Sequence, residues 1–185
     1  MERLLRVSAA IDRMNTAIGR GVSWLVLLMV VVGAFNAVAR YLGRYVGENL
    51  SSNAWIELQW YLFSLVFLLG ASWALATDRH VRVDVLYGRL PPRRRVWIDL
   101  LGTVLFLLPF CALGFFTSLP TLRSSWSVWE VSPDPGGLPR YPIKTAIPLA
   151  FLLLFAQGLS ELVKNAARLR GDLPLPGAPP EEEAP

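Results

Sequence analysis

From Glu57 to Asp78 the chain reads ELQWYLFSLVFLLGASWALATD, and the 20 residues between these two acids carry no charge. A helix rises 1.5 Å per residue, so about 20 such residues cross a hydrocarbon layer of roughly 30 Å. Two further stretches share the property: 19 uncharged residues separate Arg20 from Arg40, and 23 separate Asp99 from Arg123. A shorter run from Thr145 to Ser160 contains Ile147-Pro-Leu-Ala-Phe-Leu-Leu-Leu-Phe155; it spans if Lys144 and Glu161 reach the headgroups at its two ends. The pattern predicts an all-α integral membrane protein with four transmembrane helices, at about residues 21–42, 55–77, 97–122 and 143–163. Composition agrees, since 54% of the 185 residues are hydrophobic and 17% charged, outside the balance of soluble domains.

Short cytoplasmic loops carry the excess of Lys and Arg. With four spans, the N-terminal stretch, the 78–99 loop and the tail lie on one side and hold thirteen of these residues, against five in the 40–57 and 123–144 loops. Both termini are therefore expected in the cytoplasm. The seven tryptophans fall near span ends, where indole prefers the headgroup level. Trp24, Trp73 and Trp97 belong toward the inner face, and Trp55, Trp60, Trp126 and Trp129 toward the outer one. The net charge of +4 needs no nucleic acid, because the basic excess faces anionic lipid heads.

Ahead of the first span, Leu4, Val7, Ile11, Met14 and Ile18 recur at spacings of 3 and 4. Residues 1–20 thus read as an amphipathic helix that lies in the cytoplasmic interface, packs on a partner helix, or extends the first span. The first apolar run is too long and too far from the N-terminus for a cleaved signal and is read as a retained span. Residues 166–185 should form a disordered cytoplasmic tail, proline-rich over Leu173–Pro185 and with Glu181-Glu182-Glu183 near its end.

Chemistry inside a membrane needs ligands or titratable groups at depth. The polar residues picked out in the spans, Asn36, Ser64, Ser72, Thr103 and Gln157, are none of them ionisable, and Pro109 is the deep interruption. The single His80 excludes paired-histidine haem ligation, and Asp78, His80 and Asp84 are a weak set for zinc. Cys111 has no partner for a disulfide and reads as a packing residue. No enzyme activity, cofactor or metal is expected. Gly70 and Ala74, four apart, present a small face suited to close helix packing. Glu57, between Trp55 and Trp60, sits at the outer end of the second span; if buried there it needs a hydrogen-bonding or basic partner, in this chain or another.

Two stretches carry a family resemblance. Glu57 to Asp84, ELQWYLFSLVFLLGASWALATDRHVRVD, is a glutamate-led apolar helix with Leu69-Gly70-Ala71 and a polar turn ending in His80-Val-Arg-Val-Asp84. It resembles the small membrane subunit of tripartite ATP-independent periplasmic (TRAP) transporters, the DctQ-like family. Ser132-Pro-Asp-Pro-Gly-Gly-Leu-Pro-Arg-Tyr-Pro-Ile-Lys144 resembles the branch labelled mannitol or chloroaromatic type. The likeness covers roughly residues 15 to 165.

The resemblance implies a small permease subunit of a sodium-coupled TRAP transporter in the bacterial inner membrane. In such systems a periplasmic substrate-binding protein captures an organic acid, and a large TRAP membrane subunit of about twelve spans moves it by an elevator motion. The small subunit would be a non-catalytic scaffold, or stator, in a heterodimer. It implies structural or partner-interface roles for Glu57, Trp60, Gly70, His80 and Asp84. The prolines of the 132–144 segment preclude regular helix; Asp134, Gly136, Gly137, Pro139, Arg140 and Pro142 would then form a rigid periplasmic loop near the route of the binding protein, or a plain connector. The alternative from a different class is a self-sufficient small homo-oligomeric transporter or channel, against which stands the lack of intramembrane charge.

Overall fold

A computed structural model describes residues 1–47, 51–78, 87 and 89–175. Four helices carry the fold: α1 (Glu2–Val46), α2 (Asn53–Ala76), α3 (Pro92–Ser127) and α4 (Tyr141–Arg170), each long and apolar enough to cross a membrane. The expected all-helical, four-span architecture is what the chain adopts. His80, Asp84 and the tail from residue 176 lie outside the described residues.

The 45 residues of α1 run unbroken to Gly47, whose left-handed φ of 77° lets its N–H cap the Gly43 carbonyl. At 1.5 Å per residue the helix is about 68 Å long, twice what a hydrocarbon layer of roughly 30 Å requires. Residues 2–20 are thus continuous with the first span, and their polar face is the one turned inward. Leu4, Val7 and Met14 are exposed, while Ser8, Asn15 and Gly19 are buried. The reason is what α4 offers opposite them. Asn15 donates to Gln157 Oε1 at 2.7 Å, Gln157 Nε2 to Asp12 Oδ1 at 2.8 Å, and the Ser160 hydroxyl to the same Asp12 oxygen at 2.7 Å. Lys164 Nζ reaches Asp12 Oδ2 at 3.1 Å. Buried polar groups left unmatched cost about 1–3 kcal/mol each, so these residues specify the register of α1 on α4 more sharply than an apolar seam would.

Helix α2 begins at Ser52, whose hydroxyl accepts the Ala54 N–H at 3.2 Å as an N-cap. In α3 a π turn over Thr103–Leu107 directly precedes Pro109. Proline has no N–H to donate and its ring crowds the carbonyl four residues back, here Leu105, so the wider turn fits the defect. Helix α4 opens with the turn Tyr141–Lys144, ends at Gly171 with φ 87°, and packs against each of the other three; α3 leans chiefly on it. Its buried face is built largely of small residues, Ala146, Ala150, Gly158, Ser160 and Ala167, which let neighbouring backbones come close. Outward lie large apolar side chains such as Leu27, Phe35, Phe67, Phe106, Phe110 and Phe116, the surface expected to meet lipid.

Within the chain the tight approach of α1 to α2 is at Gly19. Gly70 has open space around it, with no atom within 4 Å of where a Cβ would stand, whereas a Cβ at Gly19 would lie 2.2 Å from Trp73 Cγ. Gly21, two residues on, is also open. Gly21→Ala should therefore leave thermal stability in detergent unchanged or raise it by up to about 1 kcal/mol through helix propensity, while Gly19→Ala should lower it, because overpacking costs about 1–3 kcal/mol. Equal melting temperatures for the two variants would refute this packing.

Candidate functional site

The two motif stretches meet. The segment after α3 folds into a short hairpin: Val131 pairs with Pro139, Ser132 N–H donates to Leu138 O at 3.2 Å, and Arg140 N–H to Glu130 O at 2.8 Å. Its tip is Asp134-Pro135-Gly136-Gly137, closed by Gly137 N–H to Asp134 O at 3.0 Å. Proline at the second position and Gly136 at φ 71° at the third are what a type II turn demands. Over residues 131–140 the segment is non-helical, as expected, and the Pro-Gly pair builds a hairpin; its last four residues, Tyr141–Lys144, are helical after all, because Pro142 stands in the first turn, where no N–H is needed.

One stripe of α2 holds this hairpin. Asn53, Glu57 and Tyr61 are four apart and so share a helix face. Asn53 Nδ2 donates to Pro135 O at 3.0 Å, and Tyr61 O–H to Pro139 O at 2.9 Å. Between them Glu57, only 3% exposed, accepts the Ser132 hydroxyl on one carboxylate oxygen and the Leu138 N–H on the other. The partner that a buried Glu57 requires is thus supplied by its own chain. A Cβ at Gly137 would stand 2.7 Å from Glu57 Oε2 and 2.5 Å from Ser132 Cβ, so only glycine lets the hairpin approach this closely.

The hairpin base is tied to the other helices. Glu130 accepts from Ser125 Oγ at 2.6 Å and from Lys144 Nζ on the first turn of α4. Trp126 Nε1–H donates to Thr145 Oγ1 at 3.1 Å, and Trp126, Trp129 and Tyr141 pack ring on ring with centroids 4.7–5.9 Å apart. The Lys144 ammonium first, then the Ser125 hydroxyl and the charges of Lys144 and Arg140, hold the Glu130 carboxyl below the usual carboxylate range. Glu57 and Glu130 spend their oxygens on fixed donors, so the arrangement tethers a loop; it is not set up to move protons or attack a substrate.

Of the other residues singled out in the sequence, Asp134, Gly136, Pro139 and Pro142 are exposed on or beside the hairpin, and Arg140 is half-buried under it. Trp60 is 40% exposed on α2, and Gly70 lies nearly three turns further along that helix. Reading the sequence missed Asn53, Tyr61, Ser132, Glu130 and Lys144; the four-residue spacing of Asn53, Glu57 and Tyr61 was the available signal. No group of three or more His, Cys, Asp or Glu side chains able to hold a metal occurs among the described residues.

Residues 29–168, from mid-α1 almost to the end of α4, match the family described as "Tripartite ATP-independent periplasmic transporters, DctQ component". The chain belongs to the DctQ family. It is accordingly a component of a transport system. This DctQ chain is 26% identical over 137 residues to the isethionate TRAP transporter permease protein DctMQ of Oleidesulfovibrio alaskensis, which takes in 74% of the chain and 21% of that protein. It is 27% identical over 157 residues to the ectoine TRAP transporter small permease protein TeaB of Halomonas elongata, covering 82% and 77% of the two. The chain thus spans about a fifth of the first relative's length and about three-quarters of the second's. Neither name supports the mannitol or chloroaromatic branch. No solved structure matches the chain.

Two outcomes follow for this DctQ chain. Glu57→Leu deletes the acceptor of the Leu138 N–H, and an unmatched buried donor costs about 1–3 kcal/mol; hydrogen exchange at residues 131–140 should accelerate about tenfold or more while Ala146–Arg170 keeps its protection, and unchanged exchange would contradict the clasp. Because the Glu130 carboxyl is held below its ordinary value of 4.5, its pairing stabilises the fold fully above that pH and is lost as pH falls through the lowered value. Lys144→Met should move the acid transition of the Trp126–Trp129 fluorescence upward toward the ordinary range.

Proposed function

We propose that this chain is the small permease subunit of a sodium-coupled TRAP transporter in the bacterial cytoplasmic membrane, where it serves as a non-catalytic scaffold for a large membrane subunit during organic-acid uptake. Family membership over residues 29–168 carries the reading. The isethionate relative supports it, since the matching stretch is a fifth of a longer permease, as if the same unit works joined to a larger one. The outer stripe of α2 supports it too: Trp60, Phe63 and Phe67 are exposed, Phe63 and Phe67 stack with centroids 6.3 Å apart, and Gly70 leaves open space beside them. A flat aromatic row ending in a residue without Cβ suits the close approach of another transmembrane helix, so Trp60 and Gly70 are proposed as part of the face that meets the large subunit.

The thirteen-to-five division of Lys and Arg supports a cytoplasmic place for both termini, and with it a periplasmic one for the clasped hairpin, whose exposed tip would meet a substrate-binding protein. The construction supports the scaffold role: an elevator needs a part that stays still, and this bundle is pinned by polar contacts at both ends of α4. Sodium and substrate sites belong to the other chains. A carboxylate such as a 2-oxo or 2-hydroxy acid is the substrate class we favour, from the likeness of Ser132–Lys144 to the mannitol or chloroaromatic branch.

Purification of the tagged chain from its native membrane in mild detergent should recover a membrane protein of about a dozen spans at one to one. A homo-oligomer alone that catalyses uptake after reconstitution would overturn the scaffold reading. Asp134→Ala, at the exposed hairpin tip, should cut uptake severalfold without loss of assembly; unchanged uptake over a range of binding-protein concentrations would remove the hairpin from the docking route.

A further inference from the structure

Beside the clasp, and not used by it, a cavity of about 260 Å³ lies between α2 and the start of α4. Its long wall on α2 is Trp60, Ser64 and Leu68, again four apart, and Ile143 and Ile147 face them from α4. From Trp60 to Leu68 the wall runs about 12 Å along the helix axis. Arg140 and Lys144 also line the cavity. Lys144 gives one of its three N–H donors to Glu130. The Arg140 Nε–H is buried and has no hydrogen-bond partner among the described residues. The Ser64 hydroxyl already gives its proton to the Trp60 carbonyl at 2.7 Å, so the wall away from the cations offers no donor and, in Ser64 Oγ, a single acceptor.

Several kinds of occupant are excluded by this lining. Water needs two to four polar partners per molecule, and the Ser64–Leu68–Ile147 part supplies only the Ser64 oxygen as an acceptor. A small anion would satisfy Arg140 and Lys144 but leave the apolar wall bare. What fits is a molecule with an oxyanion at one end and hydrocarbon at the other, held at the end of the spans where indole rings such as Trp60 sit at headgroup level. Guanidinium and ammonium groups recognise phosphate through charge-assisted hydrogen bonds.

We propose that the α2–α4 cavity is a binding site for one membrane phospholipid, its phosphate on Arg140 and Lys144 and the first part of an acyl chain along Ser64, Leu68 and Ile147. The lipid would fill the gap between the two helices that the hairpin bridges. This assignment needs only the four-span architecture and stands whether or not the chain acts as a scaffold.

The test is native mass spectrometry of the full-length chain, delipidated in detergent and titrated with phosphatidylglycerol, with diacylglycerol of the same chains, or with inorganic phosphate. One phosphatidylglycerol should be retained per chain, with the two fragments at least about tenfold weaker, since each lacks one half of the recognition. Arg140→Gln should weaken retention about tenfold, the loss of one charge-assisted contact. Ser64→Phe should do the same by filling the apolar wall without touching the hairpin. Arg123→Gln, which removes an exposed charge at the same end of the bundle but outside the cavity, should retain lipid like the unaltered chain. Equal retention by Ser64→Phe and the unaltered chain would reduce the lipid to a non-specific belt and overturn the site. Equal binding of inorganic phosphate would make it a free-anion site, and equal binding of diacylglycerol a plain apolar slot; either also overturns the proposal.

Discussion

A carboxylate buried at the end of a transmembrane helix has no water to lean on, and the rest of this structure is arranged around that constraint. Glu57 must find its donors inside the protein, and it finds them in a hydroxyl and a backbone N–H from a segment 75 to 81 residues further along the chain. That requirement draws the hairpin over the end of α2, makes Gly137 the only residue that fits beneath it, and places Arg140 and Lys144 at the α2–α4 junction.

The same logic operates at the other end of α4. There Asp12 collects hydrogen bonds from Gln157, Ser160 and Lys164, and the first turns of α1 dock with their polar side inward. The bundle is therefore organised opposite to a soluble one: polar groups meet at helix contacts and apolar groups face out. In hydrocarbon an apolar contact between helices gains little over the same contact with lipid, so small residues and matched polar groups are what discriminate one packing from another. Two polar clamps about α4, with small residues between them, give a bundle fixed at both ends.

Much of this was legible beforehand. The uncharged runs gave the four spans because the length needed to cross hydrocarbon is set by helix rise alone, and Glu57 stood out because a charge beside tryptophans at a span end demands an explanation. The Glu57–Asp84 and Ser132–Lys144 stretches pointed to the DctQ family that residues 29–168 match. What spacing did not locate was the tight approach within the chain: Gly19 meets Trp73, while the small face at Gly70 is left open. The apolar stripe Leu4, Val7 and Met14, read as one face of an amphipathic helix, is exposed within the chain.

Span number, helical class and the presence of a non-helical proline segment followed from local properties: hydropathy over a length, and the missing N–H of proline. The partner of Glu57, the inward turn of Asp12 and Asn15, and the cavity under Arg140 were decided only when distant segments came together. Spacing along one helix says which residues share a face, but not what stands opposite; that depends on which neighbour satisfies a buried polar group, and no local pattern encodes it.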